Sequence, residues 1–139
     1  MEAFQVYRSF NADKPIEELQ YIMEAYQIEL RNLKSELQFY KFLVEAAIFK
    51  PHVINLFEML EQFKSKLKKM EVNRMGLLNK IGAHSNQIAN KIECEDVACD
   101  AFFIKKHDTL EHEVHNFNQQ VSNFKLNMYQ YIQGVVKNE

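Results

Sequence analysis

Apolar residues recur at alternating three- and four-residue spacing in three stretches of this chain. The first reads Leu19, Met23, Tyr26, Leu30, Leu33, Leu37, Tyr40, Val44, Ala47. The second is Val53, Leu56, Leu60, Phe63, Leu67, Met70, and the third is Phe103, His107, Leu110, Val114, Phe117, Val121, Phe124, Met128, Tyr131, Val135. A seven-residue period keeps one stripe of a helix turned toward its neighbours. The chain is therefore expected to be all-α: an antiparallel up-down-up bundle of three long helices with coiled-coil-like heptad packing.

The interruptions between seams set the expected boundaries: an N-terminal arm over 1–13, then helices at about 14–49, 52–92 and 97–137. Asp13, Lys14 and Pro15 read as a helix start, with the Asp accepting from orphan amides and Pro tolerated in the first turn. Pro51 cannot continue a helix and turns Lys50 away from helical dihedrals, which predicts a tight turn there. Glu93, Cys94, Glu95 and Asp96 form the second expected turn, with Asp96 capping the third helix. At 139 residues the chain suffices for one core that buries roughly 68% of the unfolded surface.

A formal charge of −2 provides no electrostatic footprint for nucleic acid or an anionic membrane. Lys64, Lys66, Lys68 and Lys69 make a basic run, but it spreads over more than one helical face between Glu61 and Glu71 and reads as solvated. No segment has the roughly 20 apolar residues of a membrane span, and the start MEAFQVYRSF lacks the pattern of a secretion signal. A cytoplasmic location is the expectation. Two cysteines, Cys94 and Cys99, are too few for a disulfide framework and fit a reducing compartment.

Two regions depart from the seam pattern. Between Phe39 and Phe49 only Lys41 and Glu45 are charged, so apolar residues cover far more than one stripe of the helix. Antiparallel packing brings Ile54, Phe57 and Met59, together with Tyr129, Ile132 and Val136, to the same end. One intrachain core has no room for all of them. The expected interaction surface is therefore Phe39, Phe42, Phe49, Ile54, Phe57, Tyr129, Ile132 and Val136, engaging a second copy in a homodimer or a partner helix. The structural alternative is a wider local core with scattered exposed apolar residues.

The opposite end places polar residues where the period calls for apolar ones. Continued past Met70, the second seam meets Arg74 and His84, while Met75 and Leu78 suggest a one-residue slip of the stripe. Gly76 and Gly82 lie in the same region and are read as sites of close packing, with a hinge as the alternative. His84 and His107 stand at matching distances from the acidic turn and are expected to face each other. The same bookkeeping around Pro51 brings Glu17 to Gln20 level with them, and Glu111 lies one turn beyond His107. The bland reading is a buried polar layer that fixes register. The alternative is a sensor that binds a small ligand or a divalent metal such as zinc or iron through His84, His107, Glu17 and Glu111. His112 and His115 share a face with Asp108 and read as solvated.

No Gly-rich phosphate loop, nucleophile elbow or Cys-His pair with an orienting group is present in the sequence. The expectation is a non-catalytic helical interaction or scaffold module with no cofactor.

Overall fold

The computed structural model describes residues 11–90 and 97–138. The arm up to residue 10 and the acidic turn with Cys94 and Asp96 lie outside them. The element order is α1 (Ile16–Glu45), α2 (Leu56–Asn90) and α3 (Val97–Val135), with α1 packed on α2 and α2 on α3 as a three-helix bundle. At 1.5 Å per residue the helices are about 45 to 59 Å long. No helix among the described residues is long and apolar enough to cross a membrane.

The three seams form the core. Met23, Leu30, Leu33, Leu37, Tyr40 and Val44 of α1 form one buried cluster with Phe63, Leu67, Met70, Leu77 and Ile81 of α2 and the Leu110 to Met128 seam of α3, and Leu19 is buried as well. Aromatic rings fill its wide end: Phe63 meets Phe124 edge-on at 5.8 Å between centroids and lies 5.6 Å from Tyr131. Such pairs add about 0.5–1.5 kcal/mol beyond area burial.

The seam of α2 does not slip at Arg74. Arg74, Leu77, Ile81, His84 and Ile88 all lie inside, whereas Met75 is exposed. Arg74 is accommodated because its guanidinium is bonded on several sides. Nε and Nη2 donate to the Glu71 carboxylate at 2.8 and 2.6 Å, and Nη1 donates to the Leu30 carbonyl at 3.2 Å. The hydrogen bond with Glu71 outweighs burial, raising the Arg74 pKa and lowering that of Glu71. Gly76 is open to solvent, with nothing within 4 Å of an added Cβ, and Gly82 would make only an ordinary contact with Gln27. Neither glycine is required by a close approach.

The first connection is longer than Pro51 suggests. α1 ends at Glu45, where Ala46 turns extended (φ −79°, ψ 152°), and α2 begins only at Leu56. The segment between is held by the end of α3. The Lys50 N–H donates to the Val135 carbonyl and the Lys137 N–H to the Ile48 carbonyl, both at 2.8 Å, making an antiparallel bridge of Phe49 with Val136. His52 and Asn55, at φ 64° and 61°, return the chain into α2. The left-handed region is uncommon for residues other than Gly, and His and Asn are among those that enter it most readily. Asp13 is not the cap of α1: Pro15 occupies that position and its carbonyl accepts from Glu18 and Leu19.

Candidate functional site

The aromatic end is built from both sides of one network. Tyr40 is buried, donates to Glu36 at 2.7 Å and shares a short hydrogen bond with the Tyr129 hydroxyl. Glu36 also holds Lys125 Nζ at 2.6 Å, which ties α1 to α3. Burial works against the Glu36 carboxylate, but the hydrogen bonds from Lys125 and Tyr40 prevail and hold its pKa low. Burial, then the bonds to Tyr129 and Glu36, push the Tyr40 hydroxyl up, so it stays protonated and fixed.

Outside this closed network the same end exposes its aromatic residues. Phe42 is 64% exposed, Phe57 71% and Ile54 84%, and Phe39 stacks on Phe42 with centroids 6.4 Å apart. Tyr129 is also exposed beyond its bond to Tyr40. Phe49, Ile132 and Val136 are half-buried, drawn in by the backbone bridge between 48–50 and 135–137. The eight residues of the expected interaction surface therefore divide into five that project and three that close the end of the bundle.

At the other end, His84 and His107 do meet. Both are fully buried, with ring centroids 5.9 Å apart, and Phe103 lies 6.3 Å from His84. None of the four imidazole nitrogens has a hydrogen-bond partner among the described residues. Glu111 comes closest, with Oε2 at 3.6 Å from His107 Nε2, beyond hydrogen-bond length. Burial, then the neighbouring His107 and Lys106, push the His84 pKa down to about 4. Burial also holds His107 low, against the pull of Glu111 and Asp108. Both rings are neutral at pH 7.

A polar cluster covers this layer. Asn11 is buried and its amide donates to Asp108 Oδ1 at 2.6 Å and Glu111 Oε1 at 2.7 Å, while Lys14 Nζ donates to Asn11 Oδ1 at 2.8 Å. Tyr26 donates to Glu111 Oε2 at 3.3 Å, and burial, then Glu111, raise its pKa to about 12. Sequence spacing missed Asn11 because it precedes the seams. It missed Tyr26 because a tyrosine on a seam reads as core.

Glu17 does not join the pair. It is exposed in the first turn of α1, and the α1 residues level with the layer are near Tyr26 and Gln27, whose amide faces Gly82. Counting around Pro51 sets Gly82 level with Gln20, whereas it faces Gln27, so the facing register of α1 and α2 differs from that expectation by about two turns. Among the described residues, no group of three or more His, Cys, Asp or Glu is placed to hold a metal ion. His112 and His115 are exposed, whereas Asp108 is half-buried and bonded to Asn11.

Comparison with known protein families, with curated proteins and with solved structures gives no match to this chain.

Proposed function

We propose that this chain is a non-catalytic helical interaction module that self-associates as a homodimer through its aromatic end. The observation that carries the reading is the outward projection of Phe39, Phe42, Ile54, Phe57 and Tyr129 at an end whose interior is already filled by Tyr40, Phe63, Phe124 and Met128. Single exposed apolar residues are ordinary on a protein surface, but large aromatics gathered at one end mark contact sites. Rings also lose little conformational freedom on docking, which favours them as anchors. Light scattering across a concentration series tests the reading. The wild-type chain is expected at dimer mass, with Phe42→Glu and Phe57→Glu at monomer mass; a monomeric wild type at all concentrations would overturn it.

A second reading, a metal or small ligand held in the polar layer, is favoured by the four imidazole nitrogens of His84 and His107, which have no hydrogen-bond partner among the described residues. Buried polar groups without partners are uncommon, and an occupant bonded to them would remove that penalty. Native mass spectrometry after incubation with zinc or iron, with and without a chelator, separates the readings. An unchanged mass in every arm removes this one.

A further inference from the structure

Helix α1 carries a second seam on the face turned away from the bundle. Displacing each inward position by two residues, about 200° around an α-helix, gives Tyr21, Ala25 and Ile28 in its first half. The second half holds Phe39 and Phe42 and ends on the cap residue Ala46, with Asn32 and Ser35 between the halves. The four- and three-residue alternation is kept throughout. Tyr21 is 71% exposed and Ile28 56%, although both lie far from the aromatic end. The same displacement on α2 yields only Val72 and Ala83 among Glu58, Gln62, Ser65, Lys69, Asn79 and Asn86, and on α3 a single Leu126 among Gln119, Asn123 and Gln130. At these displaced positions, large apolar residues recur in both halves of α1, whereas α2 and α3 each carry one.

Resting on the reading of this chain as a self-associating module, we infer that the outward face of α1 packs against α1 of a second copy, running antiparallel. The sizes of the residues set the direction. Centred between Asn32 and Ser35, an antiparallel pairing places Tyr21 on the partner's Ala46, Phe42 on the partner's Ala25 and Ile28 on the partner's Phe39. Every such layer joins a large side chain to a smaller one, so two straight helices keep one separation along the seam. A parallel pairing would stack Tyr21, Phe39 and Phe42 on themselves and leave a gap where Ala25 meets Ala25. The central layer joins Asn32 to the partner's Ser35, an amide and a hydroxyl that can bond to each other. A polar pair within an apolar seam fixes register.

The flanks and the area make this a weak, salt-dependent association. Glu29 falls beside the partner's Glu36, whose charge is already balanced by Lys125 at 2.6 Å, so Glu29 approaches a cation as well as an anion. Glu24 and the partner's Glu45 remain exposed like charges, and added salt therefore strengthens the association. A buried aromatic side chain covers about 150–250 Å², so the exposed halves of Tyr21, Phe39 and Phe42 on two copies supply roughly 600 Å². That is about half of the 1,200 Å² at the lower end of specific interfaces, before Ile28 and the flanking stems are added. The contact is isologous and closes on itself as a two-fold dimer.

Disulfide trapping in a C94S/C99S background tests the geometry. Glu24→Cys mixed with Glu45→Cys is expected to form a mixed disulfide dimer, while Glu24→Cys alone does not, since antiparallel pairing separates the two Glu24 positions by about 32 Å. Self-linking of Glu24→Cys without the mixed product would overturn the direction. Ile28→Glu separates the seam from the end-docking reading, because it lies away from the 46–55 connection and projects into solvent. With helicity unchanged by circular dichroism, it is expected to be monomeric by light scattering. A dimeric Ile28→Glu beside monomeric Phe42→Glu and Phe57→Glu sinks the seam and leaves the end reading standing. Monomeric Ile28→Glu and Phe42→Glu beside a dimeric Phe57→Glu supports the seam and removes Phe57 from the interface.

Discussion

At one end of the bundle polar side chains lie inside, and at the other apolar side chains lie outside. His84 and His107 occupy core positions with no hydrogen-bond partner for their ring nitrogens among the described residues, whereas Phe39, Phe42 and Phe57 project from helices whose core positions are already filled. Both departures weigh against the stability of an isolated monomer, but through different physics. A buried imidazole loses its hydration without regaining hydrogen bonds, while an exposed phenyl ring forgoes burial. The first is relieved only by changing or occupying the interior. The second is relieved by any surface that covers the rings.

The sharpest contrast is between an inward and an outward ring of the same end. Phe63→Ala is expected to destabilise the fold by about 3–5 kcal/mol, because it opens a cavity beside Phe124 and Tyr131. Phe42→Ala should shift monomer stability by no more than about 0.5 kcal/mol. Urea unfolding at concentrations below dimerisation measures both, and equal losses would mean that Phe42 belongs to the core.

The buried charge gives the next effect. Glu71→Ala leaves the Arg74 guanidinium, 2% exposed, without its carboxylate and should destabilise by about 3 kcal/mol. Arg74→Met removes the buried charge itself and leaves Glu71 able to reach solvent, so it is expected to lie within about 1 kcal/mol of wild type. Thermal unfolding of the two variants side by side distinguishes a satisfied interior ion from the unsatisfied histidine layer.

Acid acts on that layer specifically. The His84 pKa is depressed in the folded state to about 4, below the ordinary value of 6.5, so the unfolded chain binds the proton more readily. The resulting stabilisation is fully present above pH 6.5, erodes as pH falls, and is gone below about pH 4. Across that window the loss attributable to His84 is at most about 3 kcal/mol, and His107 acts in the same direction. His84→Leu should flatten this acid slope and preserve or raise stability at pH 7, as urea midpoints at pH 7 and pH 5 would report. An unchanged slope would mean that the ring is not buried neutral.

Gly76→Ala should give the smallest change, a gain of about 0.5–1 kcal/mol in thermal unfolding. The position is helical and nothing stands within 4 Å of the added methyl group.

Much of the core was legible because helical periodicity is a local property. Met23, Leu30, Leu37, Phe63, Leu67, Val114 and Val121 are inside, where three- and four-residue spacing puts them. The meeting of His84 with His107 was legible for the same reason, since it required only counting outward from one turn. The termination of α1 was not. Residues 46–49 continue an apolar run that suits a helix, yet Phe49 pairs with Val136, a contact across the whole chain that no local propensity reveals. The axial register of α1 was not legible either: Glu17 lies away from the histidines, and Tyr26 bonds to Glu111.

The sequence by itself determined that three helices form, which stripe of each turns inward, and that one end has more apolar surface than its core can hold. These follow from periodicity and composition, which act within a few residues of each position. Only the tertiary structure decided that Arg74 stays in the seam, that Asn11 joins Asp108 to Glu111, and that the histidine nitrogens find no hydrogen-bond partner among the described residues. Hydrogen bonds between residues distant along the chain depend on the axial register of packed helices, which no local propensity encodes.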